Sequence, residues 1–168
     1  MPLTSYSPGE ILTAASLNAN FSFATTGVVQ VKSALKVDAF TTTSTSYVDL
    51  TGLSVSITPT SASNKILVLI QIQGTATGFM SFILLRGATE IGSGTSGTGV
   101  NALFAMESPN TSTIQTNGSA VLDTPATTSA TTYKIQTKVA SSTGVVNRRQ
   151  QDTSVGVSSS ITVFEVTP

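Results

Sequence analysis

Lys65-Ile66-Leu67-Val68-Leu69-Ile70-Gln71-Ile72 is the stretch that decides the fold class of this chain. It is rich in β-branched residues, which favour a strand, and it is apolar on both faces of that strand. Phe79-Met80-Ser81-Phe82-Ile83-Leu84-Leu85 is also apolar on both faces of the strand that it predicts. In a two-sheet sandwich one face of a strand meets the core, and an equally apolar outward face requires a cover. The two stretches therefore predict a sandwich whose outer face is covered, either by another subunit or by long loops of the same chain.

Short apolar or alternating runs continue along the rest of the chain, separated by Gly, Pro, Asn and Ser/Thr clusters. They predict strands at Val28–Val37, Ser46–Leu50, Leu53–Thr58, Lys65–Gln73, Phe79–Arg86, Val100–Glu107, Ser119–Asp123, Thr132–Val139 and Ser159–Val166. Asn117-Gly118 is a dipeptide typical of hairpin turns. No helical pattern separates the strands, which excludes a parallel βαβ architecture. The predicted fold class is all-β, an antiparallel, jelly-roll-like β-sandwich.

The segment before the strands carries the only helical pattern. Apolar residues recur there at intervals of three and four, with Thr13 placed as an N-cap: Ala14, Leu17, Phe21, Ala24 and Val28. A helix of about two heptads is marginal in water by itself, so it needs a partner in other copies, in a docking site or in its own domain. We therefore expect residues 1–27 to be an N-terminal attachment segment with a short helix and residues 28–168 to be the sandwich domain.

Composition excludes several classes of function. The 168-residue chain has no Cys and no His, which removes disulfides, thiolate metal sites and the usual general base. Only 10% of residues are charged, and eight acidic residues balance eight basic ones, so no long-range field draws the chain to nucleic acid. The apolar runs are too short to span a membrane, and the start lacks a secretory signal. We expect synthesis in a cytoplasm, no nucleic-acid partner and no membrane insertion.

The carboxylates are scattered along the chain rather than grouped, at Glu10, Asp38, Asp49, Glu90, Glu107, Asp123, Asp152 and Glu165. This spacing gives no local metal loop and no local acid pair. The glycine-rich run from Gly92 to Gly99 lacks the Gly-Lys-Ser/Thr ending of a phosphate loop. Arg148-Arg149 indicates a polar loop or a subunit contact. The sequence thus predicts no enzymatic activity, no cofactor and no metal.

Several segments resemble a module of tail-fibre and other virion structural proteins of aquatic bacteriophages. The resemblance rests on Phe40–Pro59 (FTTTSTSYVDLTGLSVSITP), Ser63–Val68 (SNKILV), Asp123–Tyr133 (DTPATTSATTY) and Ile161–Val166 (ITVFEV), which are distributed over most of Val28–Pro168. Pro8–Phe21 (PGEILTAASLNANF) is similar to the N-terminal attachment segments of phage appendage proteins. The resemblance implies a virion component with a β-sandwich head, trimeric, on a short anchor. It implies no catalytic or ligand residue, and the chain lacks the repetitive shaft of a long fibre.

The function predicted from the sequence is therefore a trimeric short fibre or tip of a bacteriophage particle, located in the virion. Virion anchoring is assigned to Ile11, Leu12, Leu17 and Phe21, and the oligomer interface to Val68, Ile70, Phe82 and Leu84. The expected partners are two further copies of the chain and other virion proteins, and a contact with host-surface glycan is left open. Two alternatives remain, a capsid decoration protein or head fibre and a lectin-like carbohydrate-binding module.

Overall fold

A computed structural model of the chain describes residues 8–9, 13–15, 27–96 and 99–168. Within these ranges the chain forms eleven strands. They are β1 (Val28–Lys36), β2 (Phe40–Thr42), β3 (Val48–Ile57), β4 (Lys65–Ala76), β5 (Met80–Arg86), β6 (Thr89–Ile91), β7 (Phe104–Met106), β8 (Gln115–Asp123), β9 (Thr131–Val139), β10 (Gly144–Val146) and β11 (Ser159–Val166).

The strands form two antiparallel sheets that pack face to face. Sheet A contains β8, β4, β11 and β1 in that order, and β10 and β2 extend it beside the end of β4. Sheet B contains β3, β9 and β5, with β6 and β7 both paired to β5. Setting aside the short strands β2, β6 and β10 leaves eight strands. If these eight strands are numbered one to eight along the chain, neighbouring strands follow the order 1-8-3-6 in sheet A and 2-7-4-5 in sheet B.

The core lies between the sheets because one side of each long strand is apolar. β4 contributes Ile66, Val68, Ile70 and Ile72 to it, and β11 contributes Ile161 and Val163. The facing strands of sheet B supply the largest buried rings, Phe82 and Tyr133. The alternation of buried and exposed residues along β3, β9 and β11 is the period-two pattern of strands with one face on a core. The predicted all-β class with two antiparallel sheets is confirmed.

Three predictions about local structure are corrected. The two strands predicted at Ser46–Leu50 and Leu53–Thr58 form the single strand β3, whose register shifts between Asp49 and Ser54 around Gly52 at φ 87°. Asn117-Gly118 does not form a hairpin turn but lies within β8, paired with Ile72 and Gln71. The structure also gives no support to the predicted N-terminal helix: Val28, the last residue of its stripe, begins β1, and most of the remaining positions lie outside the described residues.

Candidate interaction surfaces

The strands of sheet A carry most of the exposed large apolar side chains among the described residues. We call the outward side of this sheet the outer A face, defined as the side chains of β8, β4, β11 and β1 that point away from sheet B. Strand register arranges these side chains in rows. One row runs across all four strands without a polar residue, through Leu122, Leu67, Phe164 and Val31. The next row is mixed, through Ala120, Leu69, Thr162 and Ser33.

The outer A face is exposed and almost uncharged. Leu69 is 40% exposed and Leu122 is 56% exposed, although both are large apolar side chains. Among the described residues at its alternating positions, the only charged side chain is Lys65, at the edge of the apolar row. Towards the other end the face becomes polar but stays uncharged, with Gln71 beside Ser160. Water is therefore in contact with a neutral apolar band about four strands wide.

The four residues assigned to an oligomer interface lie elsewhere, and this assignment is corrected. Val68, Ile70, Phe82 and Leu84 belong to the core cluster, and none is more than 4% exposed within a single chain. Their side chains already fill the space between the two sheets, so they have no surface to offer to a second subunit. The sequence could not decide this point, because the two faces of β4 are similarly apolar between Ile66 and Ile70.

The second doubly apolar strand, β5, is covered within its own chain. Ile83 and Leu85 on its outer side are buried, as are its core-facing residues. At Ser81, Tyr47 lies across the strand, with its hydroxyl 3.2 Å from Ser81 Oγ and donating to the carbonyl oxygen of Asn101 at 2.9 Å. The alternative of a central strand under the rest of the chain therefore holds for β5. Of the two doubly apolar strands, only β4 leaves an apolar outward face open.

The two ends of the sandwich differ in what they present. At one end, here called the proximal pole, β1 begins and β11 ends, and the Thr167 amide donates to the Gly27 carbonyl oxygen at 3.0 Å. The opposite end, the distal pole, carries the loops 107–114, 140–143 and 147–158. Arg148 in the last of these donates to the Arg149 carbonyl oxygen at 2.8 Å and to Thr41 Oγ1 at 3.3 Å. The arginine doublet thus begins a polar loop that these hydrogen bonds stabilise.

A buried carboxylate holds the proximal pole together. Glu165 has a fully buried side chain, and its Oε1 accepts from the Thr60 amide and hydroxyl at 2.7 Å and from Asn64 Nδ2 at 2.6 Å. Its Oε2 accepts from Gln30 Nε2 at 2.5 Å. Burial by itself raises the pKa of Glu165, but the donors from Gln30, Asn64 and Thr60 outweigh burial and lower the pKa to about 2. The group is an ionised structural tie.

A second polar cluster connects the sheets. Asp123, at the end of β8, accepts from Arg86 Nη1 at 2.8 Å and from the Tyr133 hydroxyl at 2.6 Å. Burial and the hydrogen bond to Asp123 both raise the pKa of Tyr133 far above its ordinary value, so the phenol stays protonated and donates. Both oxygens of Asp123 are engaged, and the cluster offers no activated nucleophile or free base.

Two open clefts flank this scaffold. One has a volume of about 280 Å³ and lies beside Phe79, Phe104 and the 94–96 loop. The other, of about 350 Å³, lies at the proximal pole between Arg86, Pro125 and Thr127. The second cleft contains no aromatic ring on which a sugar could stack. In the described ranges no three acidic side chains gather into a metal site, and no helix is long and apolar enough to cross a membrane.

The residues assigned to virion anchoring cannot be placed in this geometry. Ile11, Leu12, Leu17 and Phe21 all lie outside the described residues. The residues assigned to an interface from the sequence include none of the outer A face. The signal for it was present, however, because Leu67, Leu69, Leu122 and Phe164 are apolar residues on strands that the sequence did predict.

No protein-family model matches the chain, and no curated protein matches it significantly. Among solved structures, the chain is similar to VP2 of infectious bursal disease virus. A mutant VP2 in derived T=1 particles matches at 12% identity with a TM-score of 0.45, and another structure of derived T=1 particles matches at 13% with a TM-score of 0.43. A structure of the Gx strain of the same virus matches at 11% with a TM-score of 0.39. These matches cover 100% of this chain and 45% to 47% of the viral chains, so the chain spans less than half of their length.

Proposed function

We propose that this chain is a non-enzymatic structural component of a bacteriophage particle, a trimeric short fibre or tip held to the virion by its N-terminal segment. It works through contacts of its surface and needs no cofactor. The buried polar groups support this proposal, because Glu165 and Asp123 serve as structural ties with all of their oxygens engaged.

The observation that carries the proposal is the separation of the two poles. The chain enters the sandwich through Gly27 at the proximal pole, where residues 1–26 precede it. The loops 107–114, 140–143 and 147–158 lie at the distal pole, at the far ends of the strands. A module held through residues 1–26 would therefore present these loops away from its attachment. That is the arrangement an appendage needs in order to contact something beyond the particle.

Two likenesses support a virion role for this geometry. The pairing of the eight main strands follows the order of a jelly roll, an architecture that recurs in viral capsid and lectin domains. This is an analogy at the level of fold, and one fold serves many functions. The resemblance of Phe40–Pro59 and of Asp123–Tyr133 to phage appendage modules is independent of the pairing order and favours the virion over other uses.

Deletion of residues 1–25 tests the proposal. The truncated chain keeps every described strand, so we expect a β-type circular dichroism spectrum and a cooperative melt. In a phage that carries this truncation, the protein should be absent from purified particles. Incorporation at the normal copy number would overturn the anchoring role, and an undamaged phage with no copy of the full-length chain in its particles would overturn the virion role.

A capsid decoration protein or head fibre is the alternative that a specific feature favours, since the eight main strands pair in the order of a jelly roll, an architecture that recurs in viral capsid domains. Labelled protein at tail ends would support the fibre or tip, and label spread over the head would support decoration. The lectin-like alternative predicts binding to host-envelope glycan in a solid-phase assay. Saturable binding that soluble envelope saccharide competes away would support that alternative.

A further inference from the structure

We infer that the outer A face is the surface through which copies of this chain assemble, with three faces packed around a threefold axis. The inference rests on the trimer of the proposed function and names its interface. The partner is a second and third copy of the same chain, and the contact centres on the row formed by Leu122, Leu67, Phe164 and Val31.

Charge argues for a copy rather than for a different partner. Apart from Lys65, the described alternating positions of the face carry no charged side chain, so nothing on it pairs with an acidic or basic ligand. A neutral surface can meet itself without like-charge repulsion, which destabilises wrong contacts. Copies of one chain are also always present at equal concentration. Removing the band from water is favourable in proportion to its apolar area.

The size of the face suits such a contact. Four strands at a spacing of about 4.8 Å and runs of seven to nine residues at about 3.3 Å per residue give a projected area on the order of 400 Å². This projection is about half of the roughly 800 Å² per partner of a standard interface, and contoured side chains present more accessible area than their projection. A face that packs only on itself across a twofold axis gives a dimer. Three faces around one axis use opposite halves of each face, the β8 half of one chain against the β1 half of the next.

The threefold arrangement also gathers the attachment segments. The apolar row lies near the proximal pole, where Val31 is three residues beyond Val28, the first residue of β1. Packing three such rows around an axis brings three copies of Gly27 together at the same end. A partner in other copies is one of the three that the sequence leaves open for the segment before β1, and this axis would supply it.

Single charges on the face test the inference in the full-length protein. Leu69→Lys and Leu122→Lys each place an ammonium group in the contact. The matched control is Val100→Lys, because Val100 is 39% exposed but lies in the loop between β6 and β7. Light scattering after gel filtration at micromolar concentration should report three chains for the wild type and for Val100→Lys. The two face variants should run as monomers, since a charge in an apolar contact weakens binding by at least about 100-fold.

Failure of the inference can be told from failure of the proposed function. A wild-type monomer or dimer would overturn the trimer itself, whereas a wild-type trimer with face variants that remain trimeric would overturn only the choice of face. Circular dichroism shows whether each variant folds. A second measurement avoids charge altogether: for Leu69→Ala the melting temperature should fall more steeply on dilution than for the wild type, because assembly stabilises by mass action. For the core variant Val68→Ala the dependence on dilution should match that of the wild type, and a steeper dependence in this variant would contradict the assignment.

Discussion

Replacing Glu165 with glutamine should destabilise the domain although it removes only a charge. The carboxylate is fully buried, and its four hydrogen bonds come from neutral donors. The glutamine carbonyl can occupy the place of Oε1 and keep three donors, but its amide then faces Gln30 Nε2, another donor. Hydrogen bonds to a charged group contribute about 1.5 to 3 kcal/mol and neutral ones about 0.5 to 1.5. Weakening three bonds and losing one would cost about 6 kcal/mol at the midpoints of these ranges. Burying a neutral amide costs less than burying a carboxylate and offsets part of that loss, so we expect a net cost of roughly 3 kcal/mol.

Urea unfolding followed by far-ultraviolet circular dichroism at one fixed protein concentration measures this cost. With a denaturant slope of about 2 kcal/mol per molar, the midpoint of Glu165→Gln should fall by roughly 1.5 M at pH 7. Glu90→Gln is the control, because Glu90 is exposed on β6 and the substitution changes net charge equally. The folded pKa of about 2 lies below the ordinary 4.5, so the contribution of Glu165 is complete above about pH 4.5 and declines as pH falls towards 2.

The wild type should therefore lose stability over this acid range by an amount that Glu165→Gln does not show. Two results would refute the reasoning. One is a Glu165→Gln midpoint within experimental error of the Glu90→Gln midpoint at pH 7. The other is a pair of stability curves, for wild type and Glu165→Gln, that run parallel from pH 5 to pH 2.

Two further substitutions probe the packing of the sandwich. Gly74→Ala should destabilise the domain by about 1 to 3 kcal/mol, as overpacking does, because the new Cβ would lie 2.5 Å from the carbonyl oxygen of Val145. In thermal melts the control Gly156→Ala, which has open space around it, should show no loss of stability. Equal melting temperatures for the two variants would contradict the close approach at Gly74. Tyr133→Phe should cost about 1 to 3 kcal/mol by removing the hydroxyl donor from buried Asp123, and a urea midpoint equal to that of the wild type would show that the bond contributes nothing.

The long strands could be predicted from the sequence because each carries its own apolar pattern. β11 was predicted with the bounds that the structure has, Ser159–Val166. The short strands β2, β6 and β10 could not be predicted, because they are strands only through their partners. Gly144, for example, pairs with Thr42 on one side and with Ala76 on the other.

Two predictions that rested on a glycine were wrong, for different reasons. Gly118 suggested a turn, but it lies within β8, paired with Gln71. A side chain at this position would collide with the carbonyl oxygen of Ile70, so the close approach of β4 requires glycine there. Gly52 suggested a break between two strands, but its positive φ lets one strand shift register and continue.

The outer A face shows where a pattern is ambiguous and why. The sequence predicted that β4 would need cover on both sides, and the structure leaves one side open. Val68 and Leu69 are similar in polarity, so only the position of sheet B decides which of them enters the core. Strand register then places Leu122 and Phe164 on either side of Leu67, and no local pattern contains that information.

The pairing of β1 with β11 determines how the domain would respond to mechanical force. β1 runs away from the proximal pole and β11 runs back to it, in a register that joins Gln30 through Lys36 to Glu165 through Ser159. A pull on the 147–158 loop, resisted at Gly27, would drag the two strands past each other along their length. All of these pairs would then share the tension at once, instead of opening one after another as they would if the strands were peeled apart from Gly27 and Thr167. Such shear must break many bonds in a single step, so unfolding under this pull should be slow, and rupture under force is governed by the unfolding rate.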